Sequence, residues 1–272
     1  MRITKLIPAA ALACGAIALN SHASEALLAE VQSPALGRAL TYNVYLPTGY
    51  AQNTNVRYPV MYLLHGNGGV RNDWAVKGKM QKTVDTLVAN GEIPPAIYVM
   101  PDANTNWYVD LKEKMETAFI NDLMPHVEKT YRTLNTRDGR VIGGLSMGGY
   151  GTWELALQQP TRFAALVPVC GGITVDWGRD RSSMNVHSVA GAADPFAAAA
   201  QRLKDVPVWI FHGGKDDVVP PSQSRRMDAA LRAAGARDAR YTEFPDANHN
   251  SWDATYAYAP MWDWLFAQRR GR

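Results

Sequence analysis

Three residue types that together perform acyl transfer recur along the chain at points where apolar runs give way to turns. Ser146 lies within Gly144-Leu145-Ser146-Met147-Gly148, between an apolar run that ends in glycines and a glycine-rich run with helical spacing. This matches G-x-S-x-G, in which a strained strand-to-helix turn lifts the serine hydroxyl clear of its surroundings and only small flanking residues fit. Five residues with three fixed positions are weak evidence in a chain of 22 glycines, so the partners decide. A serine hydroxyl needs a base to take its proton, and a histidine base needs a carboxylate to orient it. Downstream, "FHGGKDDVVPP" places Asp216 and Asp217 in the loop just after a predicted strand, and "FPDANHNSWD" places His249 after the next one. Adjacent loop residues can each reach an imidazole, so chemistry alone leaves Asp216 and Asp217 both open. Asp246 lies in a turn, where a backbone cap is the better use for it.

His249 is the candidate base by comparison with the other five histidines. His22 lies in the leader, His126 on a charged helical stretch and His187 in an irregular segment. His65 and His212 each precede a glycine at a strand end, where buried hydrogen bonds that hold a loop are expected. Attack on an ester carbonyl also creates an alkoxide that needs fixed donors, each worth roughly 10² to 10³ in rate. The backbone N–H of Met147 is one candidate. "LLHGNGG" offers the second, at Asn67 with Gly68 in reserve. No HExxH pair, CxxC pair or carboxylate cluster is present, so the expected chemistry uses no metal and no other cofactor.

Elements to carry these residues are visible in the pattern. Apolar runs at 58–66, 96–102, 139–146, 163–172 and 206–213 have the length and the Gly, Asp or Pro endings of strands buried on both faces. An alternating stretch at 38–50 begins the sheet. Between the runs lie segments with helical spacing: "MQKTVDTLVAN", "METAFINDLMPHVEKTY", "YGTWELALQQ" and "SQSRRMDAALRAAG", with "APMWDWLFAQRR" closing the chain. Alternating strands and helices predict an α/β fold, a mainly parallel central sheet with helices on both faces. Sites in such sheets form at the carboxyl edge, where the candidate residues fall. Residues 173–200 break the rhythm and read as a small cap or a long loop.

The chain has 272 residues, 47% hydrophobic and 19% charged, which suits one domain with a sizeable core. Residues 1–23 read as a signal peptide cleaved after Ala23, because two basic residues precede an apolar stretch too short to span a bilayer and small residues follow. A membrane anchor, a buried helix or a lipoprotein form ending at Cys14 are the alternatives. The single catalytic domain is then 24–272, and the location secreted or periplasmic. Without Arg2 and Lys5, 26 basic residues face 25 acidic ones, which gives no electrostatic reason to bind nucleic acid or anionic lipid. Nor does the mature chain contain a membrane span. Its remaining cysteine, Cys170, ends the apolar run "FAALVPVC" and reads as a buried, inert thiol. The sequence leaves the oligomeric state open.

The motifs "VYLPTGY", "YPVMYLLHGNGG", "NTNWYVD" and "GGLSMGGYGTW" resemble the α/β-hydrolase superfamily, and within it the esterase branch that includes feruloyl and acetylxylan esterases, S-formylglutathione hydrolase and mycolyl transferases. The carboxyl-terminal third, with "FHGGKDDVVPPSQSRRMDAALRAAG" and "NHNSWDATYA", is similar to prolyl-oligopeptidase-like and polyester-depolymerase-like relatives. The resemblance implies an α/β-hydrolase fold over nearly all of the mature chain, with Asp216 as the acid. It also implies that 103–110 lines the cleft, where Trp107 and Tyr108 stack on a flat acyl group, with Trp252 beside His249 as another substrate contact. The function implied is a secreted serine carboxylic-ester hydrolase acting through an acyl-enzyme on hydroxycinnamoyl or acetyl esters of plant polysaccharide, free or polymer-linked. A peptidase, a polyester depolymerase, an acyltransferase or a non-catalytic binding protein could be built on the same fold.

Overall fold

The computed structural model describes residues 24–175 and 186–268. The signal-peptide reading of 1–23, with Cys14, lies outside the described residues, as does the middle of the segment read as a cap or loop. Eight strands form one sheet in the order β1-β2-β4-β3-β5-β6-β7-β8. They are β1 Glu25–Ser33, β2 Arg38–Leu46, β3 Val60–Leu64, β4 Ile97–Pro101, β5 Arg140–Leu145, β6 Ala165–Val169, β7 Val208–Gly213 and β8 Ala239–Phe244. From β4 to β8 every pairing is parallel, whereas β1–β2 and β2–β4 are antiparallel. The five apolar runs are thus the five central strands, and every residue of β3, β4, β6 and β7 is buried.

The helices are α1 Asp73–Val76, α2 Met80–Ala89, α3 Met115–Thr117, α4 Met124–Thr130, α5 Met147–Gln158, α6 Pro195–Leu203, α7 Ser222–Ala233, α8 Trp252–Tyr256 and α9 Ala259–Ala267. A π-helical stretch, Ala118–Leu123, joins α3 to α4. Two hydrophobic clusters cover the two faces of the sheet, one holding residues of α4, α5, α6 and α7, the other residues of α2, α8 and α9.

Two elements differ from the expectation. The sheet begins earlier than 38–50, with β1, which pairs along its whole length with β2. As an edge strand it needs only one neighbour and leaves Leu28 66% exposed, so its apolar pattern is weak. Within the segment expected to be irregular, 195–203 is helix α6. The signal is Asp194-Pro195: the aspartate side chain caps the Phe196 and Ala197 N–H groups, and proline suits the first helical position.

Helix α5 runs through the middle of the protein, and eleven of its twelve residues are buried. One of them is Glu154, whose carboxylate accepts the Ser188 N–H at 3.0 Å and the Ser188 hydroxyl at 2.5 Å. Facing it, Glu116 is pushed up to about 8 by burial first, then by the charges of Glu154 and Asp110, with a hydrogen bond to Glu154. The folded form therefore holds a proton that the unfolded chain gives up near pH 4.3, and stability falls as pH rises from there through about 8. Glu116→Gln is expected to flatten this slope. Allowing for solvent screening, denaturant melts at pH 9 should show the variant gaining roughly 1–3 kcal/mol relative to its gain at pH 5.

Candidate active site

Ser146 occupies the joint between β5 and α5 with φ 53° and ψ −118°, a conformation that costs about 1–3 kcal/mol and persists only where packing enforces it. The enforcement is visible. Its N–H is held by Val169 O of β6 at 2.9 Å. A Cβ on Gly148 would stand 1.9 Å from Leu64 O, and one on Gly144 would stand 2.4 Å from Gly148 O, so the helix leaves the strand at a distance only glycine permits. The pattern G-x-S-x-G is thus a packing requirement between β5, α5 and β3.

His249 Nε2 lies 2.9 Å from Ser146 Oγ, and His249 Nδ1 lies 2.7 Å from Asp216 Oδ2. The fold brings to the histidine two residues that lie 33 and 103 positions from it in the chain. The two aspartates differ in placement: Asp216 has a fully buried side chain, whereas Asp217 is exposed. Asp216 Oδ1 accepts the N–H groups of Val218 at 2.9 Å and Val219 at 2.8 Å. Burial alone would raise this carboxyl. The hydrogen bonds from His212, His249 and Val219 outweigh it and hold the group well below the usual carboxylate range. Asp216 is therefore ionised wherever His249 acts. Asp246 instead pairs with Lys215 on the surface at 2.6 Å.

The N–H of Met147 is the leading donor of α5, at the end of the helix that favours negative charge. Asn67 and Gly68 are exposed in the loop that follows β3, the strand beside β5. That loop is shaped by His65, which is fully buried. Its Nδ1–H donates to Gly66 O at 2.7 Å, and its Nε2 accepts the N–H of Ala103 at 2.9 Å. Burial lowers its affinity for a proton, in keeping with a neutral ring. The loop after β3 is so tied to the loop after β4.

The aromatic candidates separate. Tyr108 does not line the cleft: it is fully buried, packs against the Gly151 position of α5 and donates its hydroxyl to His65 O at 3.4 Å. It is a packing residue beneath the loop. Trp107 remains half-buried, edge-on to Tyr150 at 5.4 Å, one helical turn from Ser146. Trp252 is also half-buried and stands perpendicular to His249 with ring centres 5.6 Å apart.

Cys170 is fully buried at the end of β6, and burial raises its thiol. Its sulfur lies within 4.8 Å of donor atoms of Asp216 and His249, a set of ligand types a metal could use. The carboxylate and imidazole are already bonded to each other there, which leaves no gap between them for an ion. His212, expected only to hold a loop, also contacts Asp216, with Nε2 3.1 Å from Oδ2. No spacing signal reveals this, because the residues between the two lie in a turn.

Residues 33–268 match the family described as "Putative esterase". An endo-1,4-beta-xylanase/feruloyl esterase of Xylanibacter ruminicola is 37% identical over 152 residues, which cover 52% of this chain and 20% of that protein. An acetyl esterase of Caldicellulosiruptor saccharolyticus is 24% identical over 229 residues, covering 75% of this chain and 82% of its own. Among solved structures, a ferulic acid esterase superposes with a TM-score of 0.73 at 26% identity, covering 91% of this chain and 98% of that one. The chain spans only 20% and 35% of the length of the first curated relatives it matches.

Proposed function

The chain belongs to this esterase family and has the α/β-hydrolase fold, and on that premise we propose that it is a serine carboxylic-ester hydrolase working through an acyl-enzyme. The observation that carries the reading is the imidazole of His249 held between Ser146 Oγ and Asp216 Oδ2. Ser146 Oγ attacks the ester carbonyl while His249 Nε2 takes its proton. Asp216 fixes the ring so that Nε2 faces the serine, and its charge stabilises the imidazolium. The N–H groups of Met147 and Asn67 hold the oxyanion. Collapse of the tetrahedral adduct breaks the ester C–O bond, and His249 returns the proton to the departing alcohol. Water then repeats the sequence on the acyl-serine. No metal or cofactor enters any step.

The substrates we assign are hydroxycinnamoyl or acetyl esters on plant polysaccharide. Both acyl groups are supported by the feruloyl and acetyl esterases among the relatives, and the half-buried Trp107, beside Tyr150, and Trp252, beside His249, offer flat apolar surface. Export through residues 1–23, to a secreted or periplasmic location, belongs to the same reading. Among the described residues no helix is long and apolar enough to cross a membrane.

A fluorophosphonate probe should label the folded protein at neutral pH; absence of labelling overturns the enzyme assignment. Specificity constants on p-nitrophenyl acetate, p-nitrophenyl butyrate, methyl ferulate, an aliphatic polyester and peptide anilides then rank the substrates. Methyl ferulate or the acetate is expected to lead. Peptide anilides above every ester would replace this reading by a peptidase.

A further inference from the structure

Asp216 is served by two imidazoles, and only one of them is needed by the reaction as described. His212, on β7, is fully buried. Its Nε2 faces Val219 O at 2.9 Å and Asp216 Oδ2 at 3.1 Å, and its Nδ1 lies 2.7 Å from Ser224 Oγ. A carbonyl and an ionised carboxylate accept but cannot donate, so Nε2 must carry the hydrogen. Nδ1 is then the acceptor for the Ser224 hydroxyl. Of the two neutral tautomers, only this one satisfies both ring nitrogens.

We infer that His212 is a positioning residue for catalysis: its Nε2–H shares Asp216 Oδ2 with His249 Nδ1–H and so sets both the aim of the carboxylate and the strength with which it grips the catalytic imidazole. The path Ser224, His212, Asp216, His249, Ser146 runs from the first turn of α7 to the serine. Two consequences follow from the shared oxygen. Oδ1 is held by the Val218 and Val219 N–H groups, so with Oδ2 also pinned the carboxylate cannot rotate away as His249 moves between the serine and the leaving alcohol. An oxygen that accepts two N–H groups also gives less to each, which keeps the His249 imidazolium from being held so tightly that it no longer releases its proton. The other ionisable groups facing this cluster are Cys170, on the end of β6, and Glu243 of β8, whose charge acts on His212.

This inference rests on the triad reading above, and two substitutions with amides separate it from a loop-holding role. In His212→Gln the side-chain nitrogen reaches the place of Nε2, whereas in His212→Asn it reaches only the place of Nδ1. Losing a hydrogen bond to a charged group predicts that His212→Asn lowers kcat by about 10- to 100-fold at unchanged KM. It also predicts that the acid limb of its kcat/KM profile moves to higher pH. His212→Gln should keep the wild-type profile and most of kcat. Equal behaviour of the two variants, or a wild-type profile in His212→Asn, overturns the inference. Should either variant fail to fold, ¹⁵N spectra of the imidazoles decide it: a His212 Nε2–H signal that moves when Asp216 is replaced by asparagine supports the inference, and one that stays in place, held by Val219 O alone, overturns it. If Ser146→Ala retains activity, the triad reading itself has failed, whatever His212 does.

Discussion

Replacing Ser146 by alanine lowers kcat on the best ester substrate by about 10⁵ to 10⁶, with fluorophosphonate labelling lost and the melting temperature equal to or above that of the wild type. The first part follows from the geometry: Oγ lies 2.9 Å from His249 Nε2, and alanine has no atom there to form the acyl-enzyme bond. The second part follows from packing. Ser146 donates no side-chain bond that the fold depends on, and its N–H to Val169 O survives the change. Alanine at φ 53° meets the same backbone cost as serine, so the variant is a folded and inactive reference. Pre-steady-state assays on a chromogenic ester should show no burst. A variant that retains more than about a hundredth of wild-type kcat would place the nucleophile elsewhere.

The acid gives the second large effect and a contrast within one dipeptide. Asp216→Asn is expected to lower kcat by about 10⁴, because an amide at that position can donate to Nδ1 and hold His249 in the tautomer whose Nε2 carries the proton. Asp217→Asn is expected to leave kcat near wild type, since that side chain is exposed and Val218 and Val219 bond to its neighbour. The same substitution of Asp216 tests linkage. A carboxyl held well below its ordinary range contributes stability that is complete above the unfolded value near pH 3.9 and is lost as pH falls toward the folded one. Asp216→Asn should therefore lose stability at pH 7 and approach the wild type below pH 3. Equal losses at both pH values would mean that Asp216 is not ionised in the fold.

Much of this arrangement is legible in the order of residues alone. Ser146 and His249 stand out because the chemistry restricts residue type and the sheet restricts place: each follows a strand at the carboxyl edge. The choice between Asp216 and Asp217 is not legible from chemistry, because what divides them is burial, which depends on His212, Val219 and His249 closing around one carboxylate. Tyr108 shows the opposite error. An aromatic residue beside a strand end reads alike whether it lines a cleft or fills the space beneath a loop, and the deciding partner, Gly151, is 43 residues away on another element. Strand β1 and helix α6 escape notice for reasons of pattern. An edge strand buries half of what a central strand does, and the helical spacing of the buried residues of α6, Phe196, Ala199, Ala200 and Leu203, rests half on alanines, which mark a face weakly.

Helix α5, buried along eleven of its twelve residues, gives the site two unequal halves. The serine heads an element whose backbone amides beyond the first turn are expected to exchange with solvent far more slowly than those of a loop. The histidine rides on the loop after β8, the edge strand of the sheet, none of whose residues is fully buried. Heating is therefore expected to loosen the loop of His249 before the joint that holds Ser146. Inactivation of that kind would be a disconnection and not a collapse, reversed on cooling by redocking one loop.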